Sequence, residues 1–158
     1  MGAVTARLAE LGIDLPDVAA PVASYVPAVR TGNQVWTSGQ LPFIDGQLAA
    51  TGKLGTTPTI ITTERGTELA RASALNALAA VGALVGGVDK ITRVLKVVGF
   101  VASDPDFTAQ PAVINGASNV LVEIFGDAGI HARSAVGVAA LPLDAPVEVE
   151  IVVEVAAD

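Results

Sequence analysis

Apolar and acidic residues alternate near the C-terminus of the chain. Every second position is a branched apolar residue, namely Val147, Val149, Ile151, Val153 and Val155. Glu148, Glu150 and Glu154 lie between them. Because successive side chains of a strand point to opposite faces, the alternation predicts a strand over residues 147–155 with one buried face and one acidic face.

The remaining pattern predicts further strands and three helices. We expect strands at residues 25–30, 34–38, 47–50, 91–102 and 132–141, the first two joined by a turn at Gly32. Apolar residues at three- and four-residue spacing predict a long helix from Thr62 or Thr63 to the Gly86-Gly87 pair and a second over 108–125. A short helix is expected at 3–12, an extended lead-in at 14–24 and a loop at 51–59. This order favours a single α+β domain over residues 1–158, with two main helices on one face of a mixed β-sheet and residues 1–20 as an N-terminal extension.

Composition and charge exclude several classes of function. The 158 residues are 51% apolar but only 4% aromatic, and the net charge of −7 argues against a nucleic-acid partner. With no Cys and one His, thiol chemistry and a multi-histidine metal site are excluded, so we expect no metal and no cofactor. The apolar run over 77–88 is too short to span a bilayer, and the N-terminus lacks the features of a signal peptide. We therefore expect a cytoplasmic protein with no membrane partner.

Arg133 is the first candidate for a site. On a strand it shares a face with Ala135 and Gly137, whose side chains are too small to pack tightly by themselves. Either another element fills this face, or the face is the floor of a cavity. An Arg at the rim of such a cavity suits a carboxylate ligand, because guanidinium offers two parallel hydrogen bonds. The alternative is an Arg at a strand end that pairs with one of the 16 acidic residues.

Other charged residues are weaker candidates on spacing alone. Glu148 and Glu150 share a face of the last strand, where they are either solvated or turned to a cavity to orient a water or accept a proton. His131 invites a general-base role, although a lone His at a strand start is more often structural. Lys90, Arg93 and Lys96 form a loose basic group without interleaved aromatic residues, and we interpret them as solvated charges.

Four segments together resemble one protein family over about residues 20–155. They are Ala20-Pro21 through Tyr25 with Gly32-Asn33, then Thr37-Ser38-Gly39-Gln40-Leu41-Pro42, then Val101 through Phe107, and finally Ala132-Arg133-Ser134-Ala135-Val136 with Leu141-Pro142 and Val147-Glu148-Val149-Glu150. In these segments the chain resembles the RidA/YjgF family, also called the L-PSP endoribonuclease family. The second and fourth segments are the most specific.

The resemblance implies a fold, an assembly and an activity. The fold is chorismate-mutase-like, and the assembly is a homotrimer with three clefts between subunits. The activity is hydrolysis of reactive 2-imino or enamine acids to 2-keto acids and ammonia, without a cofactor. Arg133 falls on the family's carboxylate-binding arginine, and Glu148 on the position that orders a water or moves a proton. The implied substrate-binding positions are Tyr25, Ser38, Gly39 and Ala135.

The chain also departs from the family pattern. Ala135 replaces a common Cys, Ala23-Ser24 replaces a Gly-Pro pair, and Pro111 falls where a pocket Asn is common. Asn115, one helical turn later, is a candidate substitute for that Asn. The 46–60 loop is longer than usual. These departures keep one alternative open beside the imine deaminase, namely a non-catalytic protein that binds a small keto or amino acid in the same cleft. The family's older name suggests a third hypothesis, an endoribonuclease, which ranks last because the net charge is −7 and there is one His.

Overall fold

Two long helices and a five-stranded sheet form most of the described chain. The computed structural model describes residues 2–18, 24–55 and 61–157. The helices are α1 (Ala3–Leu11), α2 (Thr63–Val85) and α3 (Gln110–Phe125). The strands are β1 (Ala28–Thr31), β2 (Gln34–Thr37), β3 (Phe43–Ile44), β4 (Gln47–Leu48), β5 (Ile91–Ala102), β6 (Ala132–Val138) and β7 (Val147–Val155). Short 3₁₀ turns cover Val88–Lys90, Gly126–Gly129 and Pro142–Asp144.

The main sheet is mixed, and its strand order is β1-β2-β7-β5-β6. Neighbouring strands are antiparallel except β5 and β6, which run parallel. Strands β3 and β4 form a separate hairpin. The two main helices pack on one face of the sheet, so the predicted α+β class is confirmed. This topology puts β6 at an edge, with α3 as the crossover that precedes it.

Period-two alternation places the core on the helix-covered face of the sheet. Val97 of β5, Ile151 of β7 and Val35 of β2 are at most 1% exposed. Under them the two helices approach closely at Gly116 of α3. A Cβ atom at this position would overlap the carbonyl oxygen of Thr67 on α2. The opposite sheet face carries the three predicted acidic residues of β7 and the exposed side chain of Trp36.

Helix α2 begins and ends where the sequence predicts. The side chain of Thr62 caps its first turn and accepts a hydrogen bond from the amide of Arg65 at 3.2 Å. Gly86 ends it in the left-handed region, at φ 81°. By length and composition alone α2 is apolar enough to cross a membrane, but 61% of its most apolar window is buried inside the protein. Its apolar surface is therefore used by the core.

Several segments differ from the prediction. Strand β1 begins at Ala28 rather than at residue 25, and the two-residue strand β3 was not predicted. Strand β6 ends at Val138 rather than 141, because the chain turns into the 3₁₀ segment at Pro142. The expected strand at 47–50 is only the two-residue β4, outside the main sheet. Leu54, in the predicted loop, is fully buried, and its amide donates to the carbonyl of Ala102 at 2.8 Å.

Parts of other predictions lie outside the described residues. These are residues 19–23 of the lead-in, which include Ala20-Pro21 and Ala23, and residues 56–60 of the 46–60 loop. In the N-terminal extension, α1 forms as expected. It is held at its N-terminus by the carboxylate of Asp89, which accepts hydrogen bonds from the amide of Thr5 at 2.9 Å and its hydroxyl at 2.5 Å.

Candidate functional site

Arg133 lies on the helix-covered face of the edge strand β6. It is paired with Val97 of β5, whose side chain is in the core. Farther along β6, Ala135 packs against the core, and a Cβ at Gly137 would stand 2.7 Å from Nε2 of Gln110 on α3. Of the two alternatives for this small-residue face, the first is therefore confirmed at Ala135, which packs against the core, whereas Gly137 is exposed and lines an open pocket beside Gln110.

The guanidinium of Arg133 is held by acceptors on α3. Its Nη1 donates to Oδ1 of Asn115 at 2.8 Å and to Oγ of Ser118 at 3.2 Å. Its Nη2 donates to the carbonyl oxygen of Pro111 at 3.3 Å. Across the described ranges no carboxylate lies within ion-pair distance of Arg133, so the alternative in which Arg133 pairs with an acidic residue is not observed.

These contacts leave one edge of the guanidinium available. Of its five N–H groups, three are used by α3. The Nε–H group and one Nη2–H group make no hydrogen bond to the part of the chain that the structure describes. Adjacent guanidinium donors of this kind match the two oxygens of a carboxylate. Arg133 is thus a preoriented cation without a protein anion.

His131 is half-buried and fully engaged in hydrogen bonds. Its Nδ1 contacts the carbonyl oxygen of Gly129 at 2.6 Å, and its Nε2 contacts Oγ of Ser118 at 2.9 Å. Burial lowers the pKa of His131; the nearby Arg133 charge lowers it further, and the hydrogen bond to Gly129 opposes both. The structure thus supports the structural role for His131 over a general base. The sequence analysis missed Ser118, although its three-residue spacing from Asn115 places both on one helix face.

Glu148 lies on the opposite face of the sheet. It is paired with Phe100 of β5 and is half-buried. Burial raises the pKa of its carboxyl group, and the like charge of Glu150 raises it further. Among the described residues the Glu148 carboxylate has no hydrogen bond or ion pair. A half-buried carboxyl group with a raised pKa and no partner is suited to hold or release a proton.

Gly39 lies directly against the Glu148 carboxylate. A Cβ atom there would overlap Oε1 of Glu148, so no larger residue fits without displacing the acid. The next residue, Gln40, fixes this approach through two backbone hydrogen bonds with Val149, of 2.8 and 3.0 Å. The backbone at Gly39 therefore forms one wall beside the acid.

Ser38 and Tyr25 are linked through the backbone at Val26 and Pro27. The Ser38 hydroxyl donates to the carbonyl oxygen of Val26 at 2.7 Å, and the Ser38 amide donates to the carbonyl oxygen of Pro27 at 2.8 Å. Tyr25 immediately precedes this anchored pair and is 46% exposed. We call Tyr25, Ser38, Gly39 and Glu148 the Glu148 group, and Asn115, Ser118, His131 and Arg133 the Arg133 group.

One chain keeps the two groups apart. Arg133 on β6 and Glu148 on β7 flank the central strand β5. Arg133 pairs with Val97 and Glu148 with Phe100, so the two residues are offset by three positions along β5. Standard strand spacings put their Cα atoms on the order of 14 Å from each other, on opposite faces of the sheet. Within a single chain, the predicted site residues therefore form two separate half-sites.

The comparison with known proteins identifies the family of the chain. A family model described as "YjgF/chorismate_mutase-like, putative endoribonuclease" matches residues 5–155. The chain belongs to the YjgF/chorismate mutase-like family. It is 46% identical over 154 residues to "Protein TCP17" of Trypanosoma cruzi, covering 97% of this chain and 94% of that protein.

Solved structures of YjgF-type proteins share the fold. The protein Atu1372 from Agrobacterium tumefaciens, described as of unknown function, superposes with a TM-score of 0.86 and 43% identity, covering 98% of this chain and 93% of that one. E. coli TdcF with bound serine superposes with a TM-score of 0.64 and 25% identity, covering 88% and 94%.

One predicted surface charge of this YjgF-type chain is less solvated than expected. Lys96 is half-buried on the sheet face that carries Glu148, and its Nζ donates to Oγ of Ser134 at 3.3 Å. Lys90 and Arg93 are exposed as predicted. In the described ranges no three His, Asp or Glu side chains are grouped so that they could hold a metal ion.

Proposed function

We propose that this protein is an imine deaminase that hydrolyses small 2-imino acids to 2-keto acids and ammonia. The observation that carries the proposal is the edge of Arg133 that is unpaired among the described residues, while α3 holds the other side of the guanidinium in place. A small molecule with one carboxylate matches this edge. The serine bound to the related TdcF is a molecule of this kind, with a carboxylate and a nitrogen on one carbon.

The chemistry requires little from the protein. The imine carbon is already electrophilic, so a water oriented against it replaces a strong nucleophile. Glu148, whose raised pKa makes it a better proton acceptor than an ordinary carboxylate, takes a proton from that water as the C–O bond forms and passes it to the imine nitrogen. Glu148 then takes the hydroxyl proton of the resulting carbinolamine and gives it to the leaving nitrogen, so that the C–N bond breaks, the keto C=O bond forms and ammonia is released. The balance is one imino acid and one water in, one keto acid and one ammonia out.

Complete sites require two copies of the chain. Because Arg133 and Glu148 face opposite sides of one sheet, a single small ligand reaches both only when they come from different subunits. A homotrimer supplies this arrangement in three equivalent clefts, each with an Arg133 group from one subunit and a Glu148 group from its neighbour. The split between the groups thus supports the assembly that the family resemblance implies.

The ribonuclease alternative has less support. The net charge is −7, and both ring nitrogens of the single His131 are already hydrogen-bonded inside the protein. General acid–base cleavage of RNA would need a free imidazole or an equivalent pair, with a basic surface to hold the phosphates.

Turnover of 2-iminopropionate, generated in situ by an amino-acid oxidase, tests the activity. We expect the wild type to accelerate loss of the imine and Arg133→Ala to abolish this effect. Arg93→Ala removes an equal charge from an exposed position of β5 and is the matched control. Undiminished turnover by Arg133→Ala would refute the site. If no imine is turned over but pyruvate binds in an Arg133-dependent manner, the protein is the binding protein instead.

Mixed assemblies test the two-subunit site. Arg133→Ala and Glu148→Gln should each be inactive alone, but each retains the half-site that the other lacks. After unfolding and refolding an equimolar mixture, a random ring should regain about one quarter of wild-type activity, because each cleft needs one specific subunit on each side. Failure of the mixture to regain any activity, with intact mixed assemblies present, would contradict the split site.

A further inference from the structure

A continuous chain of hydrogen bonds runs from the backbone at Gly129 to the guanidinium of Arg133. The Gly129 carbonyl contacts His131 Nδ1 at 2.6 Å, and His131 Nε2 contacts Ser118 Oγ at 2.9 Å. Ser118 Oγ then accepts from Arg133 Nη1 at 3.2 Å. This series of hydrogen bonds leads from the turn before β6 to α3 and back to β6.

The acceptors determine where each hydrogen lies. A carbonyl oxygen only accepts, so Nδ1 of His131 carries a hydrogen. Burial and the Arg133 charge lower the pKa of His131, so the ring is neutral at physiological pH and Nε2 is an acceptor. The Ser118 hydroxyl therefore donates to Nε2, and its oxygen lone pairs face Arg133.

Without His131 this orientation would be lost. A serine hydroxyl rotates freely and can point its hydrogen in several directions, including toward Arg133. When Nε2 holds that hydrogen, Ser118 is a pure acceptor for Nη1. The Nη1–H groups and one Nη2–H group then stay hydrogen-bonded to α3. The Nε–H group and the other Nη2–H group face the ligand.

We propose that His131 is a positioning residue which, through Ser118, fixes the plane of the Arg133 guanidinium for bidentate binding of a substrate carboxylate. The proposal rests on the function proposed above and assigns a role to the only histidine of the chain. His131 touches neither the substrate nor the water, so its loss affects binding of the carboxylate rather than the chemical step.

Two variants of His131 distinguish a positioning role of this residue from a role in packing alone. His131→Phe keeps a ring but removes the acceptor, whereas His131→Gln retains an acceptor oxygen near the position of Nε2. We expect His131→Phe to raise the KM for 2-iminopropionate and the Kd for pyruvate about tenfold, with little change in kcat. This factor corresponds to the loss of one hydrogen bond in a network that holds a charged group. His131→Gln should restore most of the affinity. Equal affinity of His131→Phe and wild type would overturn the proposal, as would equal impairment of the two variants.

Nuclear magnetic resonance tests the relay without any turnover. Because the chain has one His, its ring nitrogens give one pair of ¹⁵N signals, which should show the Nδ1–H tautomer. The Arg133 Nη1–H signals, identified by their loss in Arg133→Lys, should exchange faster with water in His131→Phe and in Ser118→Ala, because Nη1 donates to the Ser118 hydroxyl. An Nε2–H tautomer, or unchanged exchange in both variants, would refute the relay. If these signals behave as expected while the wild type neither binds pyruvate nor turns over the imine, the relay stands and the proposed function fails.

Discussion

Gly116 is the position where the chain should tolerate a methyl group least. It lies on α3 between Asn115 and Ser118, and its Cβ would overlap the carbonyl oxygen of Thr67 on α2. A backbone carbonyl cannot rotate away as a side chain can, so Gly116→Ala must push the two helices apart by about an ångström. This separation loosens the helix pair and moves the acceptors that hold Arg133.

The expected magnitude follows from two opposing effects. Overpacking of a core costs about 3 kcal/mol when backbone must move. Replacing Gly by Ala inside a helix returns about 1 kcal/mol. The net destabilisation is about 2 kcal/mol, which lowers the Tm of a domain of this size by about 6 °C.

Gly82→Ala is the matched control for this experiment. Gly82 lies inside α2, and the atom closest to its added Cβ would be a methyl carbon of Val88, at 2.8 Å, which can shift, while the nearest backbone atom is at an ordinary contact distance of 3.5 Å. Both variants gain the same helix propensity, so the difference between their melting temperatures isolates the helix–helix overlap. Thermal unfolding followed by circular dichroism measures it. A Gly116→Ala protein that melts at or above the Gly82→Ala protein would refute the close packing of α2 and α3.

Four further substitutions test other features of the structure. Ser73 is fully buried on α2 and its hydroxyl has no hydrogen-bond partner among the described residues, so Ser73→Ala should raise the free energy of unfolding, measured in urea, by about 1 kcal/mol. Asp89→Ala should release the N-terminal helix, seen as faster amide hydrogen exchange in residues 3–11 while the core keeps its protection. The folded-state pKa of Glu148 is raised, so the stability from its protonated form is present below pH 4.5 and lost as pH rises through the raised value. Glu148→Gln should thus be more stable than wild type at pH 8 but not at pH 4, although inactive at both. The folded-state pKa of His131 is lowered, so the unfolded chain binds the proton first and wild-type stability should fall as pH drops below 6.5, a loss that His131→Gln should lack in unfolding titrations.

Local patterns predicted the elements whose signals are contained in a few neighbouring residues. The cap at Thr62, the stop at Gly86 and the alternation of β7 depend on adjacent backbone geometry, and all three were found. The burial of Leu54 was missed, because its environment comes from Ala102 and other residues far along the chain. Strand β6 was predicted too long, because apolar residues continue past Val138 after the pairing with β5 has ended.

The sequence by itself determined the fold family, the helix and strand types and the candidate residues Arg133 and Glu148. Periodicity also showed which residues share a face and, in β7, which face is buried, but it did not show on which side of the sheet Arg133 lies relative to Glu148. The tertiary structure decided that point through the registers of β5 with β6 and β7, which put Arg133 under α3 and Glu148 on the other side. Only the packing of α3 on β6 shows that Asn115 and Ser118, rather than an acidic residue, hold Arg133, because hydrogen bonds across 15 to 18 residues depend on how distant elements meet.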